Sequence, residues 1–137
     1  MTRRQILAAA VLAHFLISLI HGRAHMGANV PLTLGSTIFV YLVIMAAPFL
    51  GLALSFRMPQ AGAWVVAASM TSALVFGLIN HFVIQGPDHV AHVAAAWRPL
   101  FSWTAALLVV SETAGAAAGI WAGAGGRSLR SELKVGV

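Results

Sequence analysis

Four long apolar stretches dominate this chain of 137 residues and limit what it can fold into. They cover residues 5–25, 31–56, 62–85 and 98–122. Each is close to the roughly 20 residues that a helix needs to cross about 30 Å of hydrocarbon. The strands of a membrane β-barrel would instead alternate polar and apolar residues, a pattern absent from these stretches. The sequence therefore predicts an all-α integral membrane protein, built as a four-helix transmembrane bundle.

The composition supports this prediction. Hydrophobic residues make up 60% of the chain and charged residues only 8%, whereas charged residues make up about a quarter of an average soluble domain. A soluble fold of this length could not hide so much apolar surface, because small domains leave a large fraction of their surface exposed. Cysteine is absent, which excludes disulfides, thiolate metal sites and covalent c-type haem.

The positions of lysine and arginine predict the orientation of the helices. If the N-terminus is inside, six basic residues lie on the inner side and two on the outer side, a clear positive-inside bias. The inner group is Arg3, Arg4, Arg57, Arg127, Arg130 and Lys134, and the outer group is Arg23 and Arg98. We therefore expect both termini in the cytoplasm, with the protein in a bacterial inner membrane.

Residues 1–122 would form the membrane domain and residues 123–137 a basic cytoplasmic tail. Basic residues that mark helix ends do not form a nucleic-acid patch, so we expect the bilayer rather than a nucleic acid as partner.

Small residues and breakers predict how the helices pack. Gly115 and Gly119 lie one turn apart on the fourth helix, a spacing that lets helix backbones approach closely. Such a face serves either packing within the bundle or assembly into a homo-oligomer or a larger membrane complex. Pro48 predicts a kink in the second helix. Asp88 could cap a short surface helix over residues 89–96.

Five of the six histidines fall at or beyond the outer membrane face in this topology. His21 and His25 are four residues apart, so they share a face if the first helix extends that far. On the predicted surface helix, Asp88, His89 and His92 could share another face, and a further histidine ends the third helix nearby. The candidate metal ligands are thus His21, His25, His81, His89 and His92, supported by Asp88.

Imidazole and carboxylate ligands of this kind suit zinc, copper or nickel. An alternative cofactor is haem b, because His21 and His81 have similar predicted depths on different helices and bis-histidine ligation needs two facing imidazoles. The remaining alternative is that these are interfacial histidines that contact water, headgroups or carbonyls.

Glu112 and His14 lie at similar predicted depths, near the middle of the bilayer. A carboxylate there costs several kcal/mol, so it should be protonated or paired with His14. Tyr41 falls slightly further out on the second helix. These three residues predict either a proton- or ion-coupling group or a neutral contact that fixes the bundle.

Three functional hypotheses follow. The first is a small membrane protein that binds a transition metal at its outer face, for metal handling or redox accessory work. The second is a non-catalytic subunit of a larger membrane complex, and the third is a small proton-coupled transporter that uses Glu112 and His14. Neither a nucleophile–base constellation nor a phosphate loop is present, so an enzyme is not expected unless metal or quinone chemistry occurs at the histidines.

Overall fold

A computed structural model describes the backbone of residues 1–135 and the side chains of residues 1–125. Within that part of the chain the fold is all-helical, with four long helices and no strand. They are α1 (Arg3–Ala28), α2 (Leu34–Leu54), α3 (Pro59–Val83) and α4 (Arg98–Val135). All four are long and apolar enough to span a membrane, as predicted.

Helix α1 begins and ends at defined caps. At its start, Gln5 N donates to Thr2 Oγ1 at 3.2 Å and Thr2 N donates to Gln5 Oε1 at 2.8 Å, a reciprocal capping box. At its end, Asn29 adopts a left-handed conformation with φ 54°, and its N–H faces the carbonyls of His25 and Met26. The helix therefore includes His25, the condition under which the first two histidines of the candidate site share a face.

Helices α2 and α3 each contain a π-helical segment, in which backbone hydrogen bonds span five residues instead of four. In α2 it covers Val40–Ala46, directly before Pro48. In α3 it covers Ile79–Val83 at the end of the helix and contains His81. The sequence predicted a kink at Pro48, but neither π segment.

The helices pack with α4 against both α1 and α3, and with α2 against α3. Small residues allow the closest approaches. A Cβ atom built on Gly119 would lie 2.8 Å from Ala63 O and 2.7 Å from Ala67 N, both in α3. A Cβ atom on Gly115 would lie 3.1 Å from Met70 Cγ. The glycine face predicted on the fourth helix is thus packed inside the bundle.

The two ends of the bundle carry different connections. The loop end carries residues 29–33 and 84–97, and the turn end carries the N-terminus and residues 55–58. Residues 84–97 form turns and bends, so the predicted helix over 89–96 is wrong. Helix α4 continues past residue 122 as far as Val135, through most of the predicted tail; residues 136–137 lie outside the described part of the chain.

Much of the outer surface of the bundle is apolar. Leu16, Leu42 and Val110 are 60%, 62% and 65% exposed. Soluble monomers rarely expose contiguous apolar surface of this extent. The surface is therefore compatible with hydrocarbon around the bundle.

Candidate metal centre

Three histidines from two helices meet at the loop end. His21 and His25 lie on one face of α1, and His81 lies in the π segment of α3. One ligand nitrogen from each lies within 4.8 Å of those of the other two. The side chains of His21 and His81 are buried, and that of His25 is 13% exposed. The structure thus brings together three of the five histidines that the sequence proposed.

The hydrogen bonds of His21 assign its tautomer. Its Nδ1 lies 2.8 Å from Thr104 Oγ1, and that oxygen lies 2.7 Å from the carbonyl oxygen of Leu100. A carbonyl can only accept, so the Thr104 hydroxyl donates to Leu100 O and accepts from His21 Nδ1–H. His21 Nε2 is therefore an unprotonated nitrogen with a free lone pair.

The partners of His81 assign its tautomer in the same way. Its Nδ1 lies 3.1 Å from the backbone carbonyl oxygen of Asp88, which can only accept. The Oδ1 atom of Asp88 lies 3.2 Å from the same nitrogen. His81 Nδ1 therefore carries the proton, and its Nε2 also presents a lone pair.

These two lone pairs face each other. His21 Nε2 and His81 Nε2 are 3.2 Å apart, and in these tautomers the neutral rings have no proton to donate to each other. Such a contact is repulsive unless a cation lies between the two nitrogens. Two imidazole nitrogens on a tetrahedral zinc ion are about 3.4 Å apart, since each zinc–nitrogen bond is about 2.0–2.1 Å. The observed separation is therefore close to that of a metal-bound pair.

Asp88 links His81 to the third histidine. Its Oδ1 lies 3.3 Å from His25 Nε2 as well as 3.2 Å from His81 Nδ1. In the described part of the chain, Asp88 Oδ1 and His25 Nδ1 are buried atoms with no well-formed hydrogen bond. A carboxylate beside the outer nitrogens of metal-binding imidazoles orients the rings and raises their basicity. Asp88 is positioned for that supporting role at His81, whose other nitrogen, Nε2, faces His21.

Phe101 covers all three imidazoles. Its ring centroid lies 4.7 Å from that of His21, 4.8 Å from that of His25 and 5.2 Å from that of His81. The phenyl ring is fully buried and shields the cluster on the α4 side. Sequence reasoning missed both Phe101 and Thr104. Their predicted depth in the membrane could have indicated them. Phe101 and Thr104 lie near the start of α4, and His21 and His25 lie near the end of α1, so all four have similar depths.

His89 and His92 lie outside the group of three. His89 Nδ1 accepts from Ala91 N at 3.2 Å, and its Nε2 lies 3.2 Å from Gln85 Nε2. His92 Nδ1 donates to Gly86 O at 2.9 Å. Their rings are 5.2 Å apart, and these bonds are to residues of the same loop.

Haem b does not fit between His21 and His81 in this arrangement. Axial imidazole nitrogens of a six-coordinate iron must be about 4 Å apart, twice a metal–nitrogen bond of about 2 Å. The two Nε2 atoms are closer than this, and the rings contact each other with centroids 4.9 Å apart. No room remains for the plane of a macrocycle.

Glu112 and His14 meet in the middle of the bundle, as their predicted depths indicated. His14 Nδ1 lies 3.7 Å from Glu112 Oε1, and both side chains are almost fully buried. His14 Nε2 donates to Ile44 O at 3.1 Å. Pro48 has no N–H with which to bind that carbonyl, which lies four residues before it. Tyr41, the third residue of the predicted coupling group, is 65% exposed on α2.

A cavity of about 530 Å³ connects the two groups. Its lining includes the three clustered histidines and Asp88, as well as Glu112 and Tyr41. The rest of the lining is mainly aliphatic and aromatic. A candidate metal centre and a buried carboxyl group therefore face one internal space.

Comparison of the chain with models of known protein families, with curated proteins and with solved structures finds no match, so the argument for function rests on this site.

Proposed function

We propose that this chain is an integral membrane protein that binds one transition-metal ion on His21, His25 and His81. In this proposal the four helices span a bacterial inner membrane with both termini in the cytoplasm, because six of the eight Lys and Arg residues then lie inside. The metal centre is at the outer face, at the loop end of the bundle. The protein would serve metal handling or redox accessory work there.

One contact carries the metal assignment: His21 Nε2 and His81 Nε2 are 3.2 Å apart, and in the tautomers assigned from their partners both present a lone pair. A shared proton would also relieve that contact. A metal ion accounts for more of the site, because it also uses the third imidazole and the adjacent carboxylate of Asp88. The outer nitrogens of His21 and His81 are already held by acceptors, the arrangement typical of metal-binding histidines.

The donor set narrows the choice of metal. Neutral imidazoles with a nearby carboxylate suit zinc, copper and nickel, and divalent copper binds such sites most tightly. Three histidines leave one position of a four-coordinate ion for Asp88, water or another ligand.

Metal analysis of the purified protein tests the proposal. The protein in detergent is loaded separately with Zn²⁺, Cu²⁺ and Ni²⁺, freed of excess ion and analysed by elemental mass spectrometry. We expect one equivalent of at least one metal, and its loss in the variants His21→Ala and His81→Ala. His92→Ala is the matched control, because His92 is exposed and outside the cluster, and it should retain the metal. A wild-type protein that retains none of the three metals would refute the proposal, as would equal loss in the control.

A second candidate function is proton-coupled transport through the same bundle. It is favoured by the position of Glu112, 3% exposed, beside His14 and on the wall of the cavity. Buried ionisable residues in membrane helices are functional candidates by default. In proteoliposomes, Glu112→Gln should then abolish the proton flux that accompanies transport, while the protein remains folded. An unchanged proton flux would exclude the coupling role.

A further inference from the structure

The cavity has the size and composition of a binding site for a small molecule. Its volume of about 530 Å³ lies in the usual range of roughly 300–1,000 Å³ for ligand pockets. Helices α1 and α2 form two of its sides, and α3 and α4 contribute the rest of the wall. Its lining is mostly apolar with a few polar groups, the pattern that binds an apolar body and orients it.

Two of the polar groups that line the cavity, His81 and Glu112, lie close to Gly77. A Cβ atom built on Gly77 would be 3.9 Å from His81 Cδ2 and 4.0 Å from Glu112 Oε2. These two atoms are therefore less than about 8 Å apart. Both distances are ordinary van der Waals contacts, so a Cβ atom at position 77 displaces no backbone, and we expect a larger side chain there to occupy part of the cavity.

Glu112 is a buried group in this wall that lacks a hydrogen-bond partner in the described part of the chain. Its side chain is 3% exposed, and within residues 1–125 its carboxyl group has no hydrogen bond. His14 Nδ1 lies 3.7 Å from Glu112 Oε1, beyond hydrogen-bond length. A buried carboxyl group without a hydrogen bond is costly, so a ligand oxygen that binds it in the cavity would stabilise the site.

Exposed residues of both α1 and α2 line the cavity, which indicates that it opens between these two helices. The two helices contact each other nearer the turn end, where the rings of Phe15 and Phe49 are 5.0 Å apart. Towards the loop end both helices line the cavity, and the lining residues Leu19, Met26 and Tyr41 are 49%, 67% and 65% exposed. If the helices span a bilayer, the opening beside Leu19 and Tyr41 faces hydrocarbon. A ligand would then enter from the lipid.

We propose that this cavity binds a neutral, lipid-soluble molecule whose carbonyl or phenol oxygen hydrogen-bonds to Glu112, the chemistry of membrane quinones. The mostly apolar lining favours a ligand with an apolar body, and the lateral opening favours molecules that partition into lipid. The proposed metal ligands also line this cavity, but the test of ligand binding uses Glu112 and Gly77, which are not among them, and metal-free protein.

Equilibrium binding of a short-chain quinone tests this proposal. Metal-free protein in nanodiscs is incubated with radiolabelled decylubiquinone, and binding to empty nanodiscs is subtracted. We expect one saturable site, which Gly77→Leu removes by filling the cavity. Gly35→Leu is the matched control, since Gly35 is a helical glycine outside the cavity and its Cβ would meet only Thr33 Oγ1 at 3.9 Å.

The carboxyl contact is tested separately. Glu112→Leu should weaken binding about tenfold, the usual effect of one lost hydrogen bond, and Glu112→Gln less. Unlabelled decylbenzene, which has the apolar chain without the oxygens, should compete poorly with the quinone on the wild-type protein. Absence of saturable binding, or a Gly77→Leu variant that binds like wild type, would overturn the proposal. Equal competition by decylbenzene would also overturn it, because the cavity would then be a site for lipid chains.

Discussion

Replacing Thr104 by valine should weaken metal binding without changing the metal ligands. Valine has nearly the shape of threonine but no oxygen, so His21 Nδ1–H would lose the acceptor that now lies at 2.8 Å. Thr104 is 5% exposed and His21 is 6% exposed, so water does not readily replace the hydroxyl. If His21 changes tautomer to avoid an unpaired proton, its Nε2 becomes protonated and ceases to be a ligand.

The expected loss can be estimated in two ways. Removing an outer partner of a metal-binding histidine typically costs about 10–100-fold in metal affinity, or about 1.4–2.8 kcal/mol. A buried donor left without an acceptor costs about 1–3 kcal/mol, which is the same range. A titration of Zn²⁺ against a competing colorimetric chelator, with the protein in detergent, measures the change directly.

Thr113→Val is the matched control for this experiment. Thr113 lies on the same helix, and its hydroxyl donates to Val109 O at 2.7 Å, just as the hydroxyl of Thr104 donates to Leu100 O. Unlike Thr104, Thr113 is exposed and contacts no histidine. We expect wild-type affinity in the control. Wild-type affinity in Thr104→Val, or an equal loss in both variants, would refute the assignment of the His21 tautomer and with it the argument for a cation.

Three further predictions concern the surroundings of the site and the packing of the bundle. Asp88→Asn removes the carboxylate beside two imidazoles and should lower metal affinity about 10–100-fold in the same titration; unchanged affinity would exclude a supporting role. Pro48→Ala restores an N–H that can bind the carbonyl of Ile44, which now binds His14. In that background His14→Ala should therefore lower the free energy of unfolding by about 1 kcal/mol less than it does in the wild type, as measured by denaturant unfolding. Additive effects of the two substitutions would contradict this coupling. Gly119→Ala places a Cβ atom less than 3 Å from the α3 backbone and should destabilise the protein by about 1–3 kcal/mol, whereas Gly22→Ala, with open space around it, should gain up to about 1 kcal/mol; equal stability of the two variants would show that α4 does not pack as described.

The sequence was sufficient to predict the four helices and some of the side-chain contacts between them. Helix length and hydropathy predicted all four helices, because a span of this length leaves few alternatives. Depth along straight helices placed His14 beside Glu112 and His21 beside His81, and both pairs meet. Spacing alone predicted that His21 and His25 share a face.

Other parts of the site could not be predicted from helix geometry. The roles of His89 and His92 depend on turns in residues 84–97, where local hydrogen bonds replaced the expected helix. Thr104 could not be distinguished from other helical hydroxyls, since its importance comes from a contact with α1. The bond from His14 to Ile44 O depends on a missing N–H at Pro48, which becomes informative only when the two helices are docked.

The π segment Ile79–Val83 makes the chain length before His81 as important as the residues themselves. Loss of one residue between Gly77 and His81 would turn the imidazole about 100° around the helix axis, since an α-helix has 3.6 residues per turn. That rotation would take it away from His21 and Asp88 together. Substitutions of the exposed Ile79 leave this register unchanged. Insertions and deletions in this short segment should therefore be far less tolerated than substitutions, both in natural variants and in engineered ones.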